Sequence, residues 1–175
     1  EIERKIEWAD IIYVGGGDTM TMISLWKEYG IDNMLKIVYE KGTVLSGLSA
    51  GANCWFKYSS SDSLKIQLED NTAPMIEIEC LGWYDLFYTP HYDDKTEFVN
   101  REEHMKECLE KRNGFIGLGV SNLAALEIVD DKFRIIVSGD TGFAEKCYFD
   151  ENGNYIRKKL EIKEEYIDLK ELIGK

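Results

Sequence analysis

A short apolar run, Thr43-Val44-Leu45, leads into Gly47-Leu48-Ser49-Ala50-Gly51, and this junction constrains the fold more than any other stretch. Glycines on both sides of a serine let the backbone turn sharply from a strand into a helix. The serine hydroxyl is then left projecting above the strand end, the geometry of a nucleophile elbow. A junction of this kind needs a strand followed directly by a helix, so it predicts β-α units rather than a helical bundle or a β-sandwich. Ser49 is the candidate nucleophile. The amide of Ala50, next in the chain, is a candidate oxyanion donor.

The surrounding pattern agrees with that architecture. Asp10-Ile11-Ile12-Tyr13-Val14 is an apolar run ending in Gly15-Gly16-Gly17, as expected of a buried parallel strand entering a tight loop. Helical spacing follows over Thr19 to Tyr29, stopping at Gly30, and again over Asp32 to Lys41, stopping at Gly42. Alternation of strand and helix indicates an α/β domain with a mainly parallel sheet flanked by helices. The polar, serine-rich stretch from Lys57 to Thr72 reads as a long loop. A helix is expected from about Lys95 to Arg112. Beyond it, segments at 115–120, 124–129, 133–137 and 144–149 have hairpin spacing, with turns at Asp130-Asp131 and Asn152-Gly153, and predict a C-terminal antiparallel extension. A terminal helix is expected over Lys163 to Ile173. The whole chain, 1–175, reads as a single domain. Glu1 to Trp8 reads as the end of a helix leading straight into a buried strand, which predicts upstream elements outside this chain.

Composition narrows the function classes. A net charge of −12 disfavours a general nucleic-acid or anionic-membrane surface, because phosphate demands positive patches. No apolar run approaches the ~20 residues needed to span a bilayer. Cys54, Cys80, Cys108 and Cys147 are scattered without a CxxC pair, so they read as buried thiols in a reducing cytoplasm. Two histidines and no zinc spacing argue against a metal, and nothing calls for a cofactor.

A serine hydroxyl needs a base, usually a histidine oriented by a third group. His104 lies one position before inward Met105 on a strongly charged helix and reads as a solvated surface residue. His91 follows an apolar segment and Pro90, at the strand-to-loop exit where open α/β sheets gather catalytic groups, and is the candidate base. Asp62, 13 residues after Ser49, suits the chain order Ser, Asp, His. Asp93, Asp94 and Glu127 compete with it for the same role. The triple-glycine loop can bring a second amide to the oxyanion, since no Cβ blocks its approach. That loop is neither GxGxxG nor a lysine-bearing phosphate loop, so a nucleotide is not indicated.

Tyr13-Val14-Gly15-Gly16-Gly17-Asp18-Thr19, paired with Gly47-Leu48-Ser49-Ala50-Gly51-Ala52-Asn53, resembles the peptidase E family of aspartyl dipeptidases. The resemblance continues through Asp62, Pro90-His91 and Asn100-Arg101-Glu102-Glu103. It implies a flavodoxin-like or class I glutamine amidotransferase-like sheet and a serine exopeptidase cleaving short peptides with an N-terminal aspartate. It implies Ser49 as nucleophile, His91 as base, Asp62 as triad acid, and Gly16 and Ala50 as oxyanion donors. Arg101 falls where the family has an arginine suited to the substrate's aspartate carboxylate, and Asp18 and Thr19 are further substrate-binding candidates. Asp18 stands where relatives often carry asparagine, and a family glutamate near Gly119-Val120-Ser121-Asn122 has only Glu127 as a nearby counterpart. A cyanophycinase-like β-aspartyl peptidase and a non-catalytic binding or regulatory protein are the alternatives. A small peptide is the expected partner, and a homodimer is compatible with the pattern.

Overall fold

Two parallel strands open the fold of the computed structural model, which describes residues 1–112 and 114–174. Helix α1 (Ile2–Trp8) precedes β1 (Ile11–Val14). Helix α2 (Thr19–Tyr29) starts where the Asp18 carboxylate accepts from the Thr21 amide, and it stops at Gly30, whose φ of 68° is readily adopted only by glycine. After α3 (Ile31–Glu40), β2 (Val44–Gly47) returns beside β1 in parallel, pairing Ile11 with Val44 and Val14 with Gly47. The short helix α4 (Ala50–Asn53) follows Ser49 directly.

The chain then crosses into a larger sheet. Strand β3 (Phe56–Ser61), helix α5 (Ser63–Gln67), β4 (Ile76–Glu79) and β5 (Tyr84–Thr89) come next. Helix α6 (Arg101–Glu110) leads to β6 (Gly117–Val120), followed by β7 (Ala124–Val129), β8 (Lys132–Val137), β9 (Ala144–Phe149) and β10 (Tyr155–Lys159). Strand β11 (Ile167–Asp168) and helix α7 (Leu169–Ile173) finish the described chain. Six strands form one sheet in the order β10-β9-β6-β5-β3-β4, and β11-β8-β7 form another. Only β3, β5 and β6 run parallel within the six. The architecture is therefore α/β with mixed sheets, in which β9 and β10 supply the antiparallel extension.

Four segments differ from the sequence reading. The first is β1, which is expected to be buried but leaves Ile11 and Tyr13 exposed, because one face of its two-stranded sheet is uncovered among the described residues. The stretch from Lys57 to Thr72 is no long loop, because β3 and α5 occupy most of it. Ser59, Ser60 and Ser61 are buried in β3, and their hydroxyls reach Cys80, Thr89 and Ser63 respectively. Hydroxyls with internal partners can be buried at little cost, so polarity alone misleads there. Helix α6 begins at Arg101 rather than near Lys95, capped by the Asn100 side chain accepting from the Glu103 amide. The expected terminal helix is confined to Leu169–Ile173.

Packing explains how the β1-β2 pair stays with the six-stranded sheet. The tilted rings of Trp26, Trp55, Trp83 and Tyr39 form a continuous series with neighbouring centroids 5.2–6.3 Å apart, linking α2 and α3 to the segments around β3 and β5. Leu86, Phe87 and Leu118 are fully buried at the centre of the large sheet. Gly117 admits the side chains of Met105 and Leu109, whose atoms would lie 2.8 Å from a Cβ at that position. All four cysteines are free thiols in the interior. Among the described residues, no helix is long and apolar enough to cross a membrane.

Candidate active site

Ser49 occupies the turn between β2 and α4 with φ 55° and ψ −114°, a conformation costly for any residue with a Cβ. The flanking glycines are required by close approach. A Cβ at Gly47 would fall 2.2 Å from the Gly51 carbonyl oxygen, and one at Gly51 would fall 2.1 Å from the Val14 oxygen. The turn is fixed by the Leu48 amide donating to the Val14 carbonyl at 3.1 Å and the Gly51 amide donating to the Leu48 carbonyl at 2.9 Å. The Ser49 side chain makes no capping bond to α4, so its hydroxyl is not committed to holding the helix.

The triple-glycine loop after β1 lies against this serine. A Cβ at Gly16 would stand 3.3 Å from Ser49 Cβ and 3.9 Å from its Oγ. Asp18 and Thr19, expected near substrate, serve the scaffold. Asp18 Oδ2 accepts from the Thr21 hydroxyl at 2.5 Å and from Gln67 Nε2 at 2.8 Å. Desolvation raises its carboxyl pKa, but hydrogen bonding from Ser63, Thr21 and Gln67 outweighs it and holds the group at about 2. Thr19 is buried, and its hydroxyl accepts from Asn53 Nδ2 at 3.1 Å.

His91 stands two residues beyond the end of β5, with φ 49°. Its neighbours pin it in place. Thr89 and Tyr92 are buried, and the Tyr92 amide donates to the Val120 carbonyl at 3.0 Å. The Tyr92 ring lies so close to β6 that a Cβ on Gly119 would fall 2.4 Å from it. The imidazole bonds through Nδ1 to Asn122 Oδ1 at 2.7 Å. An amide oxygen only accepts, so Nδ1 carries the proton and Nε2 keeps its lone pair, the tautomer a general base requires.

The orientation of the Asn122 amide follows from its other bonds. Its Nδ2 donates to Asp93 Oδ1 at 3.2 Å and to Asp94 Oδ1 at 2.9 Å, while its backbone amide donates to Asp93 Oδ1 at 2.7 Å. Two carboxylates on one side leave only the oxygen to face His91. Asn122 lies two residues past β6, as His91 lies two past β5, and it precedes Leu123, itself held at φ 59°. That placement at adjacent parallel strand ends is the signal by which the sequence marks Asn122, although its neutral side chain drew no attention beside the nearby carboxylates.

The group bonded to His91 is therefore Asn122, where the sequence reading put Asp62. Asp62 instead accepts from Arg101 Nη2 at 3.1 Å. Arg101 is 5% exposed, with Asp94 Oδ2 3.9 Å from its Nε, and that buried Nε has no hydrogen-bond partner. Glu127 is also engaged elsewhere, by Arg134 and by the Tyr166 hydroxyl at 2.9 Å. Of the competing carboxylates, Asp93 and Asp94 lie behind Asn122. His104 is not a solvated surface group either, since its Nδ1 meets the buried Ser60 Oγ at 2.8 Å. Among the described residues, no group of three or more His, Cys, Asp or Glu side chains is arranged to hold a metal ion.

These features place the chain among α/β proteins that present a strained serine at the end of a parallel strand, beside a glycine loop. The model of peptidase family S51 matches residues 1–136, and the chain belongs to that family. It is 32% identical over 133 residues to the uncharacterized peptidase YgaJ of Bacillus subtilis, covering 76% of this chain and 53% of that protein. It is 28% identical over 144 residues to peptidase E of Streptomyces coelicolor, covering 78% and 55%. The chain thus spans about half the length of these curated relatives. A crystal structure described as a peptidase E protein from Listeria monocytogenes EGD-e superposes with a TM-score of 0.57 at 25% identity, covering 79% of this chain and 64% of that one. A peptidase from an acI-B1 Actinobacterium superposes at 0.64 with 17% identity, covering 95% and 62%, and bears on the fold alone.

Proposed function

We propose that this chain carries the reaction centre of a serine exopeptidase for short peptides with an N-terminal aspartate. The observation that carries the reading is the strained backbone of Ser49 at the strand-helix turn, with Gly16 against it. In this reading Ser49 Oγ attacks the scissile carbonyl, while His91 Nε2 takes its proton and returns it to the leaving amine. Water then releases the acyl group by the same route. Asn122 holds the imidazole tautomer, as asparagine does in papain-like Cys-His-Asn sites. The amides of Gly16 and Ala50 receive the oxyanion.

Arg101 is the proposed partner of the substrate's aspartate carboxylate, with Asp62 as its holder. The unfilled Nε supports this, because a buried guanidinium donor without an acceptor is a demand that a carboxylate meets. Engagement requires the side chain of Asp94 to yield at that nitrogen.

The test compares the protein with Ser49→Ala on Asp-X and Ala-X dipeptides, alongside labelling by a serine-directed phosphonate. Turnover of Asp-X that is lost in Ser49→Ala, with label on Ser49, is expected. An unlabelled Ser49 in folded protein refutes the nucleophile assignment. Unchanged preference for Asp over Ala in Arg101→Glu removes the role given to Arg101.

A further inference from the structure

A continuous set of buried polar contacts runs beneath the proposed site, and the reaction scheme uses none of it. Thr19, the first residue of α2, accepts from Asn53 Nδ2 at 3.1 Å. The same nitrogen donates to the Ser60 carbonyl at 3.3 Å. Ser60 Oγ lies 3.1 Å from Thr89 Oγ1 and 2.8 Å from His104 Nδ1. Thr19, Asn53, Ser60 and Thr89 are all buried. Thr19 follows the glycine loop, Asn53 ends the helix that starts at Ser49, and Thr89 precedes Pro90-His91. The contacts therefore join the segments bearing the glycine loop, the proposed nucleophile and the proposed base, and they lead to His104.

The direction of the hydrogens in such a set depends on the tautomer of His104, here taken with the proton on Nε2. With His104 neutral and its Nδ1 unprotonated, Ser60 donates to the ring and Thr89 donates to Ser60. His104 Nε2–H then faces Cys108 Sγ at 3.7 Å, a thiol that burial pushes up to about 11 and keeps protonated. A second proton on the ring turns Nδ1 into a donor. Ser60 must then donate to Thr89, whose own hydrogen loses its acceptor in the interior. The charged groups that act on the ring are Arg101 and Glu107 from α6, Lys111 just past its end, and Glu77 from β4, two of each sign. Desolvation is the largest influence and lowers the pKa of His104 below the ordinary histidine value.

We propose that His104 is a positioning residue for the base: through the Ser60–Thr89 hydroxyl pair it fixes the end of β5 that carries His91, and its protonation reverses the pair and loosens that end. The inference rests on the peptidase reading for its kinetic consequence and on the bond geometry alone for its structural one.

The experiment follows kcat/KM against pH for an Asp-X dipeptide in the protein, in His104→Asn and in His104→Phe. Asparagine keeps an acceptor near the place of Nδ1 without titrating, whereas phenylalanine removes it. The acid side of the profile of the unmodified protein is expected to carry an extra drop of about fivefold as His104 takes its second proton, a step absent from His104→Asn. His104→Phe is expected to lose about fivefold in kcat at all pH with KM little changed, the loss of one hydrogen bond's positioning. An acid side in the unmodified protein that superposes on that of His104→Asn, with no extra drop, overturns the proposal.

A second readout does not require turnover. The chain has two histidines, so the ring-proton NMR signals of each can be followed separately as pH changes. The His91 signal of the unmodified protein is expected to show a second inflection at the midpoint of His104. Its absence overturns the proposal whether or not any peptide is cleaved. Its presence without turnover supports the coupling and counts against the peptidase reading only.

Discussion

Replacing Asn122 by aspartate looks like a repair, since it gives His91 the carboxylate most serine triads use, yet the structure predicts harm. The position now occupied by Nδ2 lies 2.9 Å from Asp94 Oδ1 and 3.2 Å from Asp93 Oδ1. A carboxylate oxygen there would turn two donated bonds into two like-charge contacts. At 2.9 Å one such pair costs about 1.4 kcal/mol at the dielectric constant of water and about 5.7 kcal/mol at an effective constant of 20. Asn122 and Asp93 are exposed, which places the net effect in the lower part of that range, at ~2 kcal/mol. The three acids relieve it by keeping a proton, so one carboxyl has a folded pKa raised above its unfolded value near ~4. The folded state then binds more protons than the unfolded one, and stability falls as pH rises through the raised pKa. Thermal unfolding of Asn122→Asp should match the unmodified protein near pH 4 and fall about 4–8 °C below it at pH 8. Activity at pH 8 should fall as well, because the acid cluster no longer presents a fixed acceptor to His91. A variant as stable as the unmodified protein at pH 8, and at least as active, would show that Asp93 and Asp94 do not hold the amide.

Further outcomes follow from single residues. Ser49→Gly removes the Cβ from a positive-φ site and should be more stable than Ser49→Ala by ~1–2 kcal/mol in urea titration, with both inactive. Gly51→Ala places a Cβ 2.1 Å from the Val14 backbone oxygen and should cost at least ~3 kcal/mol or prevent folding, read by circular dichroism. Glu127→Gln breaks an ion pair to Arg134 that shares no partner with His91, so kcat should stay within about twofold; a loss of about tenfold or more would return Glu127 to the site. Because the pKa of half-buried His104 is lowered in the fold, the unfolded chain binds more protons at that position below about pH 6.5. The urea midpoint should therefore drop as pH falls from 6.5, and less so in His104→Asn.

The elbow was legible because its requirement is local: two glycines whose Cβ positions are blocked by backbone, and one serine forced to positive φ between them. The strand-helix-strand opening was legible for the same reason, since Gly30 and the apolar runs of β1 and β2 act over a few residues. What failed depends on pairing across distance. Ser59-Ser60-Ser61 reads as loop until Cys80, Thr89 and Ser63 are placed beside it. Chain order made Asp62 the natural partner of His91, but Arg101 approaches from a helix 39 residues later and takes its carboxylate. Asn122 was overlooked because orienting an imidazole was equated with negative charge. The charge is present in Asp93 and Asp94, one amide further back.

Strand β2, which leads to the proposed nucleophile Ser49, and strand β5, which leads to the proposed base His91, belong to different sheets. Among the described residues the smaller sheet has two strands, and Ile11, Tyr13 and Val44 on it are exposed. Units of that kind open at a lower free energy than the core they dock on. Function in this chain would then melt before the fold does. Amide exchange in β1 and β2 should quicken, and phosphonate labelling of Ser49 should fade, at temperatures where Leu86, Phe87 and Leu118 remain fully protected.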